Sequence, residues 1–195
     1  MTNFRISQLI SILLLLFVIA ACGDEMPIPK PPTYLRTDFP KHTYKRTNLD
    51  CPYSFELSEA YNYNPVMENG FRTCHLDINL GQLNGVINFS YIEMEHPLKD
   101  YIDYSLNKVE EHKVKADAIE DKQFLDPEKR VFGTFFELKG NVASPFQFYL
   151  TDSNKRFVSA VVYFNARPNY DSLRPSLEYL KQDLMHLVET FEWKK

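Results

Sequence analysis

The run Leu98-Lys99-Asp100-Tyr101-Ile102-Asp103-Tyr104-Ser105-Leu106-Asn107-Lys108-Val109 breaks the pattern of the chain around it. Leu98, Tyr101, Ile102, Ser105, Leu106 and Val109 recur at the spacing of one helical face, and Lys99, Asp100, Asp103, Lys108 and then Glu111 occupy the other. On both sides the periodicity is that of strands. Tyr53-Ser54-Phe55-Glu56-Leu57 alternates with period two, and residues 74–80 and 85–94 form two further runs across the turn Gly81-Gln82-Leu83-Asn84-Gly85, the pattern of a hairpin. After the helical run, strands are expected over residues 119–125, 130–138, 145–151 and 156–165. Asp126-Pro127, Lys139-Gly140-Asn141 and Asp152-Ser153-Asn154 supply turn chemistry between them. Short connections imply an antiparallel meander. A second helical stripe closes the chain: Leu173, Leu177, Leu180, Leu184, Leu187, Val188 and Phe191. Pro175 is expected in its first turn, where a missing N–H has no intrahelical partner.

Strands are thus grouped rather than alternated singly with helices, which argues for an α+β domain, an antiparallel sheet flanked by two main helices. An apolar content of 44% and an aromatic content of 14% suffice for such a core.

The N-terminus has a different character. Arg5 precedes an apolar stretch running from Leu9 to Ala20, shorter than the roughly 20 residues that span a bilayer and within the range of a secretory h-region. Ile19-Ala20-Ala21-Cys22 follows, resembling the lipobox of bacterial lipoproteins: a branched apolar residue, two small residues that can enter a peptidase site, and a thiol able to form a thioether with diacylglycerol. Residues 1–21 are read as a signal peptide and Cys22 as the lipidation site, with several acyl chains such as palmitate giving stable anchoring at roughly 0.8 kcal/mol per buried methylene. Four prolines between Asp24 and Pro32 make residues 22–33 a lipidated, semi-rigid tether. Residues 34–195 form the single globular domain. Gly23 rather than Asp after the cysteine favours the outer membrane by the enterobacterial sorting rule, with the domain facing the periplasm.

Cys51 and Cys74 remain. Export places them in an oxidising compartment, where a bridge would close a loop of about 22 residues and stabilise by roughly 3 kcal/mol; the alternative is two buried thiols acting as small hydrophobes.

The net charge of −4 recommends neither a nucleic acid nor an anionic lipid surface as partner. His42, His75, His96, His112 and His186 are scattered without metal-ligand spacing, and G-x-S-x-G, P-loop and Rossmann glycine patterns are absent. His112, on the inward stripe of the first helix, and His186, beside the last, read as interior or rim residues. Phe135, Phe136, Phe146, Phe148, Tyr149, Phe157, Tyr163 and Phe164 fit a sheet core better than a carbohydrate platform. No catalytic residue, metal, cofactor or small-molecule substrate is indicated.

Longer strings carry a family likeness. Tyr34-Leu35-Arg36-Thr37-Asp38-Phe39-Pro40 after the Pro-rich tether, Cys51-Pro52-Tyr53-Ser54-Phe55, the run from Gly140 through Asn141, Val142, Ala143, Ser144 and Pro145 to Ser153, that from Tyr163 to Leu173, and Glu189-Thr190-Phe191-Glu192-Trp193-Lys194 together resemble the GldD gliding-motility lipoproteins of Bacteroidota. The resemblance implies a non-enzymatic accessory or assembly component of gliding motility and the linked type IX secretion machinery, whose partners are the membrane, through the lipid, and other proteins of that apparatus. It carries over no catalytic residue. The element order is also similar to PsbP-like domains, an α/β/α sandwich, which licenses no activity.

Partner contact is expected at the loops 140–145 and 165–172, through Asn141, Ser144, Asn169 and Asp171, because loops on a rigid scaffold commonly bind; alternatively Asn141, Asn169 and Asp171 make turn and cap hydrogen bonds. Asp171-Ser172-Leu173 fits the O-glycosylation pattern of Bacteroidota at Ser172. The competing functional class is an envelope enzyme or glycan-binding lipoprotein.

Overall fold

The computed structural model describes residues 38–194; the signal peptide, Cys22 and the Pro-rich tether lie outside them. The centre is a seven-stranded, wholly antiparallel sheet. Its strands are β4 (Asn62–Glu68), β5 (Phe71–Asn79), β6 (Gly85–Glu93), β7 (Ala116–Asp126), β8 (Val131–Gly140), β9 (Phe146–Thr151) and β10 (Arg156–Phe164), in the order β4-β5-β6-β10-β9-β8-β7. The hairpin β5-β6 and the meander β7 to β10 are both present, joined where β10 pairs with β6. Between these two blocks runs α1 (Leu98–Glu110), and α2 (Tyr170–Glu189) follows β10. The α+β reading therefore holds.

Three departures have physical causes. Tyr53-Ser54-Phe55-Glu56-Leu57 does not join the main sheet: it splits into β2 (Tyr53–Ser54), paired with β11 (Glu192–Trp193), and β3 (Glu56–Ser58), paired with β1 (Tyr44–Arg46). Phe55 sits between them, fully buried. The strand at the sheet edge is instead β4, which carries Pro65 and a register irregularity between Pro65 and Met67; only an edge tolerates a residue that cannot donate to a ladder. Finally, α2 starts at Tyr170, capped by Asn169, so Pro175 falls one turn deeper than expected and removes one interior hydrogen bond.

The two sheet faces differ in character. Towards α2 point Leu76, Ile78, Ile87, Phe89, Phe148, Leu150, Val158, Ala160 and Val162, packed with Leu180, Leu184, Leu187 and Val188 in one core. That face alternates as a buried antiparallel sheet should. The α1 face is thinner. Val109 is the buried residue of α1, against Phe136, Leu138 and Val142, and Tyr101 meets Phe157 at 5.6 Å near the other end. Leu106, expected on the inward stripe, is 39% exposed. Between the two props Ser105 faces a stretch of sheet carrying Ser90, Ser159 and Gln147.

Candidate functional site

The loops expected to make contact converge at one end of the sheet. Residues 140–145 join β8 to β9, and residues 165–172 carry β10 into α2. Gly140 enters the first loop at φ +116°, and a Cβ there would lie 2.8 Å from the Asp117 amide nitrogen, so glycine admits the neighbouring strand. The Asn141 Oδ1 accepts from the Tyr170 amide at 2.9 Å, locking one loop to the other. The Asn169 Oδ1 accepts from the Ser172 amide at 3.2 Å, satisfying a donor at the start of α2. Asn165 is held in turn by Asn84, whose carbonyl accepts the Asn165 amide at 2.8 Å. Gly140, Val142, Pro145, Phe164, Pro168 and Leu173 border a small apolar hollow between the loops, about 130 Å³.

The four expected contact residues do not behave alike. Ser144 is fully buried, with its hydroxyl on the Phe146 carbonyl at 3.5 Å, so it cannot touch a partner on this surface. Val142 is buried as well and anchors the first loop in the small core under α1. Asn141 and Asn169 are exposed but occupied by the bonds just described. Asp171 is exposed in the first turn of α2, where a negative charge suits the helix dipole. Ser172 is exposed beside it. Cys51 and Cys74 are joined as a disulfide, with Cα atoms 5.6 Å apart.

A second cluster escaped the sequence reading. Asp183, on the inward side of α2 and 4% exposed, accepts from the Tyr61 hydroxyl at 2.5 Å and the Tyr44 hydroxyl at 2.9 Å, and the His42 Nδ1 lies 2.6 Å away. His42 stacks on Tyr179 at 4.3 Å, Phe39 on the same ring at 4.7 Å, and Tyr44 on His186 at 3.6 Å. His186 in turn contacts Glu56 at 2.7 Å. Burial first, and then the Asp183 carboxylate, holds the Tyr44 and Tyr61 hydroxyls well above the usual tyrosine range, which keeps both as donors. The chemistry of the cluster is that of a clamp, in which one buried carboxylate receives three donors and ties the segment 38–46 to α2. The available signal was Asp183 itself, an acid three residues after Leu180 and beside Leu184 in an apolar stripe, since a buried carboxylate requires partners.

Of the other histidines, the His75 Nδ1 accepts from the Tyr91 amide at 3.2 Å, and burial lowers the pKa of His112. Among the described residues no group of three His, Cys, Asp or Glu side chains is placed to hold a metal ion, and no helix is long and apolar enough to cross a membrane.

The family pattern described as gliding motility lipoprotein GldD matches residues 24–193. The chain belongs to that family. Membership makes it an envelope-anchored lipoprotein of gliding motility, and the matched span takes in both converging loops, the Asp183 clamp and the disulfide. Cys22 precedes the matched residues. No curated protein matches the chain. Among solved structures, the solution structure of cyanobacterial PsbP (CyanoP) from Synechocystis sp. PCC 6803 is similar at a TM-score of 0.47 and 9% identity, over 82% of this chain and 97% of that one.

Proposed function

We propose that this lipoprotein is a non-enzymatic accessory or assembly component of the gliding-motility apparatus and of its linked type IX secretion machinery, held by lipid on Cys22 at the outer membrane and facing the periplasm. The family match carries the reading. The geometry adds a surface suited to it: two loops bound to each other through Asn141 and Tyr170 present Arg167, Pro168, Asn169 and Asp171 at one end of a disulfide-linked domain. A surface ordered before binding loses less freedom on association. The loops, rather than any one side chain, form the contact.

Three experiments test this. Recovery of motor or secretion components with the full-length lipoprotein, solubilised from membranes and identified by mass spectrometry, supports it; recovery of none sinks it. Replacing Ala166, Arg167 and Pro168 by Gly-Ser sequences should abolish spreading motility at unchanged lipoprotein abundance. Motility lost only in proportion to abundance would mean that the loops serve the fold alone. Replacement of Cys22 by Ala should release the protein from the membrane fraction.

A further inference from the structure

Helix α1 stands on two apolar props, Tyr101 on Phe157 and Val109 on Phe136, and between them a cleft of about 500 Å³ opens onto the sheet. Its volume is that of a small-molecule site. Its floor is what distinguishes it. Antiparallel pairing sets Ser90 opposite Ser159 on adjacent strands, and one step along Val161 lies between Asn88 and Gln147. Hydroxyls and amides thus stand where the opposite face of the same strands carries Phe89, Phe148, Ala160 and Val162.

Two of these polar groups have no partner. The Gln147 side chain is 4% exposed, and its Nε2 makes no hydrogen bond; the Ser105 Oγ above it is equally unpaired. Leaving a buried donor unpaired is costly, so a site that retains one is suited to an acceptor brought by a ligand. Asn88 gives its Nδ2 to Asp77 at 2.8 Å, which leaves its amide oxygen to accept. Gln147, Ser105 and Asn88 all line the cleft, so its wall holds both donors and acceptors.

Charge narrows the class. Lys108 is held by Glu111 at 3.0 and 3.1 Å, and burial favours the neutral form of His112. Lys108 is the one Lys or Arg in the lining, and it is paired, so neither a phosphate nor a carboxylate would find an unpaired ammonium or guanidinium here, and a lipid tail would strand the floor amides. Tyr104, 63% exposed, and Tyr163, 38% exposed, stand among the lining residues and offer rings to C–H groups. We propose that this cleft binds a neutral, hydroxyl-rich ligand, a saccharide of roughly one or two rings, whose hydroxyls each donate and accept against Gln147, Ser105 and Asn88. The site lies on the α1 face and is independent of the loop contact proposed above.

The test uses the full-length lipoprotein in an amine-oxide detergent, since maltoside detergents would occupy the site. Saturation-transfer NMR is run with glucose, galactose, mannose, N-acetylglucosamine and their disaccharides at millimolar concentration, with glucuronate and inorganic phosphate as anionic probes. The expected result is transfer from at least one neutral saccharide, weakened tenfold or more by Gln147→Leu and by Ser159→Arg, which fills the floor. Gln147→Leu removes an unsatisfied group and should leave thermal stability unchanged or raised, so its loss of binding cannot be a loss of fold. No transfer from any neutral saccharide overturns the proposal, as does binding that survives Gln147→Leu or a preference for the anionic probes.

Discussion

Replacing Asp183 by Ala tests whether the clamp on α2 holds the N-terminal segment. Three bonds are lost, and they are unequal. Tyr61 is 6% exposed, so its hydroxyl has no route to water and carries the desolvation penalty of an unmade bond, about 1–3 kcal/mol. Tyr44 and His42 are partly exposed and can turn to solvent, so each loses only the net value of a hydrogen bond, about 0.5–1.5 kcal/mol. Removing the carboxylate also removes its own burial penalty, which works against these losses. The balance is a destabilisation of about 2–4 kcal/mol, which for a domain of this size lowers Tm by roughly 5–15 °C. The single tryptophan, Trp193, donates to the Arg130 carbonyl at 3.0 Å and reports unfolding in urea by fluorescence. Tyr61→Phe should cost less, because the carboxylate keeps two donors, and the double variant should lose less than the two singles added. A loss for Asp183→Ala no greater than that for the exposed Glu178→Ala, or strict additivity in the double variant, would refute the clamp.

The tyrosines make stability fall at alkaline pH. Burial, followed by Asp183 for two of them, raises Tyr53, Tyr44 and Tyr61 above the usual value near 10, so folding holds their protons more tightly than the unfolded chain does. Their contribution is complete below about pH 10 and is lost as pH rises above it, because the unfolded state ionises first; Tyr61→Phe should flatten that limb in urea titrations between pH 8 and 11. Reducing the Cys51–Cys74 bridge, or replacing both cysteines by Ala, reopens a loop whose ends are separated by 23 positions in sequence and should cost about 3 kcal/mol, read as a shift in urea midpoint. Asn169→Ala removes the N-cap of α2 and should cost about 1 kcal/mol, whereas Asn169→Ser should restore most of it, and equal losses for both would deny the capping role.

Element types were legible wherever one face of an element is apolar and the other is not. The stripe from Leu177 to Val188 and the alternation in residues 156–165 belong to pieces that pack against the main core, and both form as the periodicity requires. β4 was hidden because an edge strand carrying Pro65 and two asparagines has no such contrast. The split at Phe55 was hidden for another reason. Period two shows that a run is extended, but not which neighbour it pairs with, and here one run serves β11 on one side and β1 on the other.

The α1 face shows why a site can lie in a sequence read correctly as strand and helix. In Phe157-Val158-Ser159-Ala160-Val161 the serine fits the outward position of a half-exposed strand, and Ser105 passes as a neutral residue within a helical stripe. Neither is unusual alone. Only pairing sets Ser159 against Ser90 and Val161 against Gln147, and only the crossing of α1 buries Gln147 without supplying it a partner. Polar residues from three strands become one polar floor through topology, with Ser105 of α1 above it. A helix whose sole requirement was to cover this sheet would do so better with leucine at 105 and an apolar residue at 147. The fold forgoes that packing, so the cleft is where stability and function are most directly opposed. Gln147→Leu should separate them, by strengthening the first while removing the second.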